Sequence, residues 1–250
     1  MSILIFPDIH GRSFWQKPLD DVIRHRRHFD SIVFMGDYFD PYDSEGIDES
    51  EAIANWHRLF ATVSDGVLGC QPVFLLGNHD AHYANPVFSA FAGGSRLSRR
   101  YFDTIKGIFT DNESLFRVAY DTMVGQKKVL FTHAGVNREW VECHGELLKP
   151  LSADSINALM NTQDGWYALS DVGRMRGGDR PTGGPLWADV TEHYDADGRP
   201  YTIDGYDYEV FAHSQRRNDP IINSHFAMLD VRRPFLLADD CTIHEYGDDV

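Results

Sequence analysis

The sequence predicts an α/β protein with a mostly parallel sheet, and three observations support this prediction. Short apolar runs alternate with amphipathic segments from Ile3 to Leu76, in a β-α-β-α-β order that requires right-handed crossovers. Polar residues directly follow several of the predicted strands, at the edge where open α/β sheets bind their ligands. Shorter apolar runs towards the C terminus predict strands of a second, more antiparallel sheet.

The opening unit contains three predicted strands and two predicted helices. Each strand is a short apolar run followed by turn residues, as in a buried parallel sheet. The three runs are 3–6, 31–35 and 73–76. A helix is predicted at 18–27, where a proline lies near the start and Leu19, Val22 and Ile23 share one face. A longer amphipathic helix is predicted at 49–63.

The second half of the chain has a less regular pattern. A strand pair is predicted at 115–120 and 129–131, a helix at 152–161 and a Gly-, Arg- and Pro-rich loop at 174–185. The closing strands are predicted at 208–212, 225–229, 235–237 and 243–246. Between residues 81 and 107 the pattern predicts an aromatic loop region that forms a pocket wall, with Tyr83, Phe88, Phe91, Tyr101 and Phe102.

Length and composition indicate a globular protein of ordinary type. A chain of 250 residues, 42% hydrophobic and 24% charged, favours one domain over residues 1–250 rather than two small ones. No apolar run approaches the roughly 18 residues of a membrane span, and the N-terminal residues lack the basic region of a signal peptide. The three cysteines are far apart, which argues against a disulfide framework. We therefore expect a cytoplasmic protein without a membrane partner.

The charge balance disfavours nucleic acid as a partner. The 23 basic and 38 acidic residues give a formal net charge of -15, which repels a phosphate backbone. Two divalent cations, with roughly four positive charges, would offset part of this excess.

Five predicted strand ends carry metal-ligating or proton-transferring residue types. They supply Asp8 and His10, Asp37 and Asp40, Asn78 and His79, His133, and His213. Taken singly, each has an ordinary explanation, because Asp and Asn cap turns and a lone buried histidine often has a structural role. Carboxylate, imidazole and amide oxygen at one sheet edge together predict a metal centre for Mn, Fe, Zn or Mg rather than a thiolate zinc site.

The ordered set of these motifs resembles the calcineurin-like metallophosphoesterase superfamily over residues 8–215. Within it, the chain is similar to the serine/threonine phosphoprotein phosphatase branch, because the segment 133–135 is followed by a predicted helix and then by Leu186-Trp187-Ala188-Asp189. The resemblance implies a four-layer α/β/β/α sandwich of two mixed sheets flanked by helices.

The resemblance also implies a role for each residue of the set. Asp8 and His10 bind a first metal, Asp37 bridges two metals, and Asn78, His133 and His213 complete the second. His79, supported by Asp40, protonates the leaving group. The expected cofactor is a pair of divalent ions, with Mn favoured, which share a hydroxide and stabilise an in-line displacement at phosphorus. A histidine paired with a carboxylate is a competent proton donor near neutral pH.

The chain departs from the phosphatase pattern at two positions. Pro41 and Tyr42 stand where that branch has a phosphate-binding arginine. The alternative arginines are Arg12, Arg138, Arg174, Arg176, Arg199 and Arg216, with the loop 174–180 favoured because a guanidinium can fork onto phosphate oxygens. Gln215 stands where many members have a histidine, and either its carbonyl oxygen or water would fill that position.

These inferences predict a phosphomonoester hydrolase, with phosphoserine or phosphothreonine proteins as the leading substrates. The second reading is a nucleotide or dinucleoside-polyphosphate hydrolase, or a small phosphodiesterase. A non-catalytic metal-binding scaffold is the third, and the presence of both His79 and Asp40 argues against it.

Overall fold

The computed structural model describes residues 2–64, 66–85 and 96–247. These residues form two mixed β-sheets with flanking helices, so the predicted α/β class with two mixed sheets is confirmed. The contact pattern divides the chain into two compact units, residues 1–116 with 232–250 and residues 117–231. We call them the first and second unit. The single domain over 1–250 stays a prediction.

The sheet of the first unit has the strand order β11-β10-β1-β2-β3-β4. Its strands are β1 Ile3–Phe6, β2 Ser31–Phe34, β3 Pro72–Leu75, β4 Phe116–Arg117, β10 Phe235–Leu237 and β11 Ile243–Glu245. β1 pairs in parallel with β2, and β2 with β3, whereas β10 is antiparallel to β1 and to β11. The parallel strands therefore bring the carboxyl ends of β1, β2 and β3 to one edge.

The described residues of the first unit include four α-helices. They are α1 Gln16–His25, α2 Glu49–Ser64, α3 Asn78–Ala84 and α4 Phe102–Asp111. The apolar face of α2 buries Trp56, whose ring lies 5.6 Å from that of Phe74 on β3. Phe74 in turn stacks at 5.1 Å on Phe34 of β2. Aromatic burial on this scale dominates core energetics, so the strands whose ends carry the polar residues are firmly packed.

The sheet of the second unit has the strand order β5-β6-β7-β9-β8. Its strands are β5 Ala119–Val124, β6 Lys127–Thr132, β7 Tyr208–Phe211, β8 Ile221–Ile222 and β9 Phe226–Met228. β7 is parallel to both of its neighbours, β6 and β9, and the two outer pairs are antiparallel. The helices of this unit are α5 Arg138–Cys143, α6 Ala153–Ala158 and α7 Gln163–Leu169.

The closing strands differ from their prediction in one respect. Residues 235–237 and 243–246 were predicted in the second sheet, but β10 and β11 extend the first sheet. The reason is that β1 has a free edge opposite β2, and β10 satisfies its backbone hydrogen-bonding groups there. The two remaining closing strands join the second sheet, where the central pairings are parallel rather than antiparallel.

The region 81–107, predicted to be an aromatic loop, contains the greater part of α3 and the start of α4. Tyr83 is buried and contacts Phe102 with ring centroids 5.6 Å apart. Phe88 and Phe91 lie outside the described residues. Among the residues that the structure describes, no helix combines the length and apolar character needed to cross a membrane.

Candidate metal centre

The loops that follow β1 and β2 are joined by backbone hydrogen bonds. The His10 N–H donates to the Asp37 carbonyl at 2.6 Å, and the Gly11 N–H donates to the Tyr38 carbonyl at 3.0 Å. These bonds continue the parallel pairing past the last residues of the strands. His10 and Asp37 are therefore held side by side, although they are far apart in sequence.

Two glycines allow the loops after β2 and β3 to approach more closely than other residues permit. Gly36 has a φ of +102°, and a Cβ added to it would overlap the backbone of Gly77. A Cβ on Gly77 would overlap the Asp37 carboxylate. The glycines before Asp37 and Asn78 are thus required by close packing, and they place both polar segments at one point.

His10, Asp37 and His79 form a cluster whose ligand atoms all lie within 4.8 Å of one another. The His10 Nδ1–H donates to the Phe39 carbonyl at 2.8 Å, which leaves Nε2 unprotonated in the neutral ring. This Nε2 lies 3.4 Å from Asp37 Oδ2. Burial lowers the pKa of His10 well below its ordinary value. The imidazole is therefore neutral and offers a lone pair towards Asp37.

Asp80 holds the backbone around this cluster. Its Oδ2 accepts the N–H groups of Asp37 at 2.6 Å and Gly77 at 2.9 Å, and its Oδ1 accepts the N–H of Tyr38 at 3.0 Å. Burial raises the pKa of the Asp80 carboxyl, and the three donated bonds oppose that shift. One fully buried carboxylate thus ties the loops after β2 and β3 together.

His79 of this cluster also pairs with the buried carboxylate of Asp40. The His79 Nδ1–H donates to Asp40 Oδ2 at 2.9 Å, and the His79 backbone N–H donates to Asp37 Oδ1 at 2.9 Å. Tyr83 donates its hydroxyl hydrogen to Asp40 Oδ1. The other ring nitrogen of His79 is consequently the one available for proton transfer or for metal binding.

The backbone at these positions is strained. His10, Asp37, Asp40 and His213 have φ values between 43° and 62°, and they account for four of the seven non-glycine residues with positive φ among those described. Such conformations are costly for side chains with a Cβ and concentrate at functional sites. Their coincidence with the predicted residues supports a functional assignment for the strand ends.

In the second unit, the structure brings His133 and His213 together at the ends of β6 and β7. His133 Nε2 and His213 Nδ1 lie 3.1 Å apart, and the Ala212 N–H donates to the His133 carbonyl at 2.8 Å. Both rings follow parallel neighbouring strands, so the two imidazoles share one sheet edge. Gln215 is exposed.

Neighbouring residues support this histidine pair. His193 is fully buried, stacks on Phe211 at 4.5 Å and lies 3.4 Å from the Ala134 carbonyl through Nε2. Burial lowers the pKa of His193 to about 4, so its ring is neutral. Next to His213, Ser214 Oγ accepts a hydrogen bond of 2.6 Å from Arg176. The arrangement fixes the backbone on either side of the pair.

The sequence matches the family model described as calcineurin-like phosphoesterase over residues 1–224. The chain belongs to the calcineurin-like phosphoesterase family. Its members are metal-dependent phosphoester hydrolases that use two metal ions, and the predicted family is therefore confirmed. The comparison with curated proteins finds no match.

Solved structures with the same fold include phosphatases. The cold-active protein-tyrosine phosphatase of a psychrophilic Shewanella species has a TM-score of 0.56 at 16% identity, over 98% of this chain and 80% of that one. A second structure described as cold-active protein tyrosine phosphatase has a TM-score of 0.56 at 15% identity, over 98% and 78%. At these identities the similarity establishes the fold alone.

The residues present suit the metal ions of the family. The first unit offers buried carboxylates and a neutral imidazole, and the second offers two buried or half-buried imidazoles. Mixed oxygen and nitrogen donors without thiolate fit Mn, Fe, Zn or Mg. Of the predicted ligands in the first unit, His10 and Asp37 converge on one cluster, whereas Asp8 is buried after β1 and Asn78 is buried at the start of α3.

Three residues of the site were not assigned from the sequence. Asp80 ends the Gly-Asn-His-Asp motif and Tyr83 belongs to the predicted aromatic pocket wall, but neither was given a role in the site, and Arg96 lies outside the motifs. The Arg96 guanidinium lies 3.6 Å from the centre of the Tyr42 ring and donates two hydrogen bonds, of 3.1 and 3.2 Å, to the Asp40 carbonyl. The only signal for Asp80 was its place directly after Asn78 and His79.

Proposed function

We propose that this phosphoesterase hydrolyses phosphomonoesters with two divalent ions, Mn being favoured, and that protein phosphoserine or phosphothreonine is its substrate class. The observation that carries the proposal is the hydrogen-bonded His79–Asp40 pair beside the His10–Asp37 cluster. A metal-binding scaffold has no need of a proton donor next to its ligands. A hydrolase that expels an alkoxide requires one.

The proposed ligand roles follow the motifs of the family. Asp8 and His10 hold the first ion, Asp37 serves both ions, and Asn78, His133 and His213 hold the second. When bound, the ions supply an activated water and neutralise charge on the phosphoryl group. The neutral ring of His10 and the loops fixed by Asp80 keep the donors of the first unit in place.

Arg96 is the proposed phosphate-binding arginine. It would take the role of the arginine that the phosphatase branch has where this chain has Pro41 and Tyr42. Its guanidinium contacts an aromatic face and a neutral carbonyl, so its positive charge is not cancelled. By contrast, Arg12 pairs with Glu45 at 2.6 Å and Arg176 pairs with Asp189 at 3.0 Å. Among the described residues, Arg96 has no carboxylate partner. An arginine of this kind suits bidentate binding of phosphate oxygens.

The proposed acid role assigns the leaving-group proton to His79. Asp40 accepts from Nδ1 and orients the ring, which leaves Nε2 to donate to the departing oxygen. Hydrolysis of an aryl ester with a weakly basic leaving group depends little on this proton. Alkyl esters, including phosphoserine, need it most.

The test uses purified protein with added Mn²⁺. Wild type and His79→Ala are compared on an aryl phosphomonoester, an aryl phosphodiester, a phosphoserine peptide and a dinucleoside polyphosphate. We expect wild type to prefer the monoester and the peptide. Preference for the diester or for the nucleotide would overturn the substrate assignment, and no turnover with metal bound would favour the scaffold.

A further substitution separates the acid role of His79 from a ligand role. His79→Asn is expected to keep the metal content of wild type and to slow esters with poor leaving groups by roughly 100-fold to 10,000-fold, as for removal of a general acid. Metal content is measured by elemental analysis. Loss of an ion, or equal slowing of good and poor leaving groups, would show that His79 is not the acid.

A further inference from the structure

Tyr83 lies one helical turn beyond His79 on α3, so both side chains share a helix face. The Tyr83 side chain is buried, with 1% of its surface exposed. Its hydroxyl contacts the same carboxylate as the His79 ring, since Tyr83 donates to Asp40 Oδ1 and His79 donates to Asp40 Oδ2. Asp40 is therefore held between the two side chains.

The direction of the Tyr83 hydrogen bond follows from its other partner. The backbone N–H of Ser98 donates to the Tyr83 hydroxyl oxygen at 2.7 Å. A hydroxyl has a single hydrogen, and because Ser98 supplies the donor on one side, that hydrogen is directed to Asp40. Burial raises the pKa of Tyr83, which keeps the hydroxyl protonated. Both oxygens of the Asp40 carboxylate thus accept from fixed donors.

We propose that Tyr83 is a positioning residue that sets the orientation of Asp40 and, through it, of the His79 ring. The inference rests on the proposed function, in which His79 protonates the leaving group. Without the hydroxyl, Asp40 Oδ1 loses its donor, and the carboxylate can rotate away from the plane in which Oδ2 meets His79 Nδ1. A misplaced acid slows protonation more than it weakens substrate binding.

The segment that directs Tyr83 also carries Arg96. Ser98 contacts the hydroxyl of Tyr83, and Arg96 donates to the carbonyl of Asp40. Residues 96–98 therefore contact Asp40 through Arg96 and the Tyr83 hydroxyl through Ser98. Because Arg96 retains its own contacts with Tyr42 and Asp40 when the hydroxyl is removed, the KM should change little in a Tyr83→Phe variant.

The kinetic test compares Tyr83→Phe with wild type on phosphomonoesters of good and poor leaving groups in the presence of Mn²⁺. We expect kcat for the poor leaving group to fall by about tenfold, in line with loss of a hydrogen bond to a charged group, and kcat for the good one to fall by less than about twofold. KM and metal content should stay within about twofold of wild type. Equal slowing of both esters would overturn the proposal.

A matched control removes the same kind of hydrogen bond elsewhere in the first unit. Tyr246 donates its hydroxyl hydrogen to Asp21 Oδ2 at 2.9 Å and is also buried. Tyr246→Phe therefore removes a part-buried tyrosine–carboxylate bond without touching Asp40. We expect its leaving-group dependence to equal that of wild type, and a matching change in this control would overturn the role of Tyr83.

A spectroscopic arm does not depend on turnover. In protein with labelled histidine and diamagnetic Mg²⁺, the His79 Nδ1–H resonance is assigned by its loss in His79→Asn. We expect Tyr83→Phe to shift the His79 Nδ1–H resonance. A ring-fluorinated tyrosine at position 83 should shift this resonance in the opposite direction, and Tyr246→Phe should leave it unchanged. An unmoved resonance in both position-83 variants overturns the proposal. If wild type hydrolyses no ester, the proposed function is refuted but the role of Tyr83 is not. The resonance measurement then decides whether Tyr83 orients Asp40 and His79.

Discussion

The two units fix their polar strand ends in different ways. In the first unit, the side chains of Asp37, Asp40 and Asp80 accept directional hydrogen bonds, and Asp80 alone accepts three backbone N–H groups. In the second unit, His133 and His213 contact each other, and the adjoining residues Ala134 and Ser214 receive the supporting bonds. The first unit therefore supplies carboxyl groups held by fixed donors, whereas the second supplies a pair of imidazoles in contact with each other.

Two buried acids, one in each unit, differ in their number of hydrogen-bond donors. Asp80 has three hydrogen-bond donors to compensate for its burial, whereas Glu209 in the second unit has two, the N–H groups of Val136 and Ile203. Burial raises the pKa of Glu209 to about 8. Burial also raises the pKa of Asp80, and in both acids the donated N–H bonds oppose that shift.

The largest effect is expected from Asp37→Asn. One carboxylate serves two cations in the proposed site, so its loss should reduce the bound metal below about one ion per chain. Activity should fall by more than about a hundredfold, because even partners beyond the ligands are worth 10–100-fold. Elemental analysis measures the bound metal per chain, and turnover of an aryl ester measures the activity. Asp20→Asn, at an exposed position on α1, is the control, and two retained ions in Asp37→Asn would contradict the bridging role.

His133→Asn sharpens the contrast between the units. If the second unit supplies ligands to one ion only, the variant should retain about one ion per chain through the carboxylates of the first unit. Activity should fall by roughly a hundredfold, since in-line displacement uses both ions. Metal analysis after dialysis measures this. Complete loss of metal would show that the first unit cannot hold an ion without the second.

Asp80→Asn is expected to affect stability as well as activity. An asparagine amide has one carbonyl oxygen and one NH₂ group. Its NH₂ group would therefore point at one or more of the three backbone N–H donors, which would lose their acceptor. The free energy of unfolding should fall by about 3 kcal/mol, the cost of leaving buried groups unsatisfied. Urea denaturation measures the change, with the exposed Asp103→Asn on α4 as control. A loss equal to that of the control would show that Asp80 does not tie the loops together.

The smallest effect concerns Glu209 and pH. A folded pKa of about 8, above the value of 4.5 for an unperturbed glutamate, means that the native state binds the extra proton between these pH values. The free energy of unfolding should therefore fall as pH rises, by about 2 kcal/mol from about pH 6.5 to 8.5. His193, with a pKa of about 4, adds a slope only at lower pH, where the unfolded state binds the extra proton.

Glu209→Gln tests the origin of this slope. The amide does not ionise, so the decline between about pH 6.5 and 8.5 should disappear. Urea denaturation at both pH values measures it, and Glu142→Gln, at an exposed position of the same unit, should retain the wild-type decline. A decline that persists in Glu209→Gln would assign it to other groups.

The strand ends were predictable from sequence because their signals are local. A short apolar run followed by Gly-Asp or Gly-Asn marks both the strand and the turn, and the order of the motifs identified the family. Arg96 contacts Asp40 across 56 residues of sequence, and nothing around it distinguishes it from an exposed arginine. The same applies to Tyr83, whose hydroxyl contact depends on the fold. The pairing of β10 with β1 was missed because it depends on the free edge of β1 in the folded sheet. The residues of β10 themselves do not indicate which sheet they join.

The claim that the strand ends hold a pair of ions sharing Asp37 can be tested directly by electron paramagnetic resonance of the Mn²⁺-loaded protein. Two ions bridged by one carboxylate lie close enough to couple magnetically, so wild type should give the multiline signal of an exchange-coupled pair, and Asp37→Asn should not. Isolated, uncoupled Mn²⁺ in wild type at saturation would contradict the account.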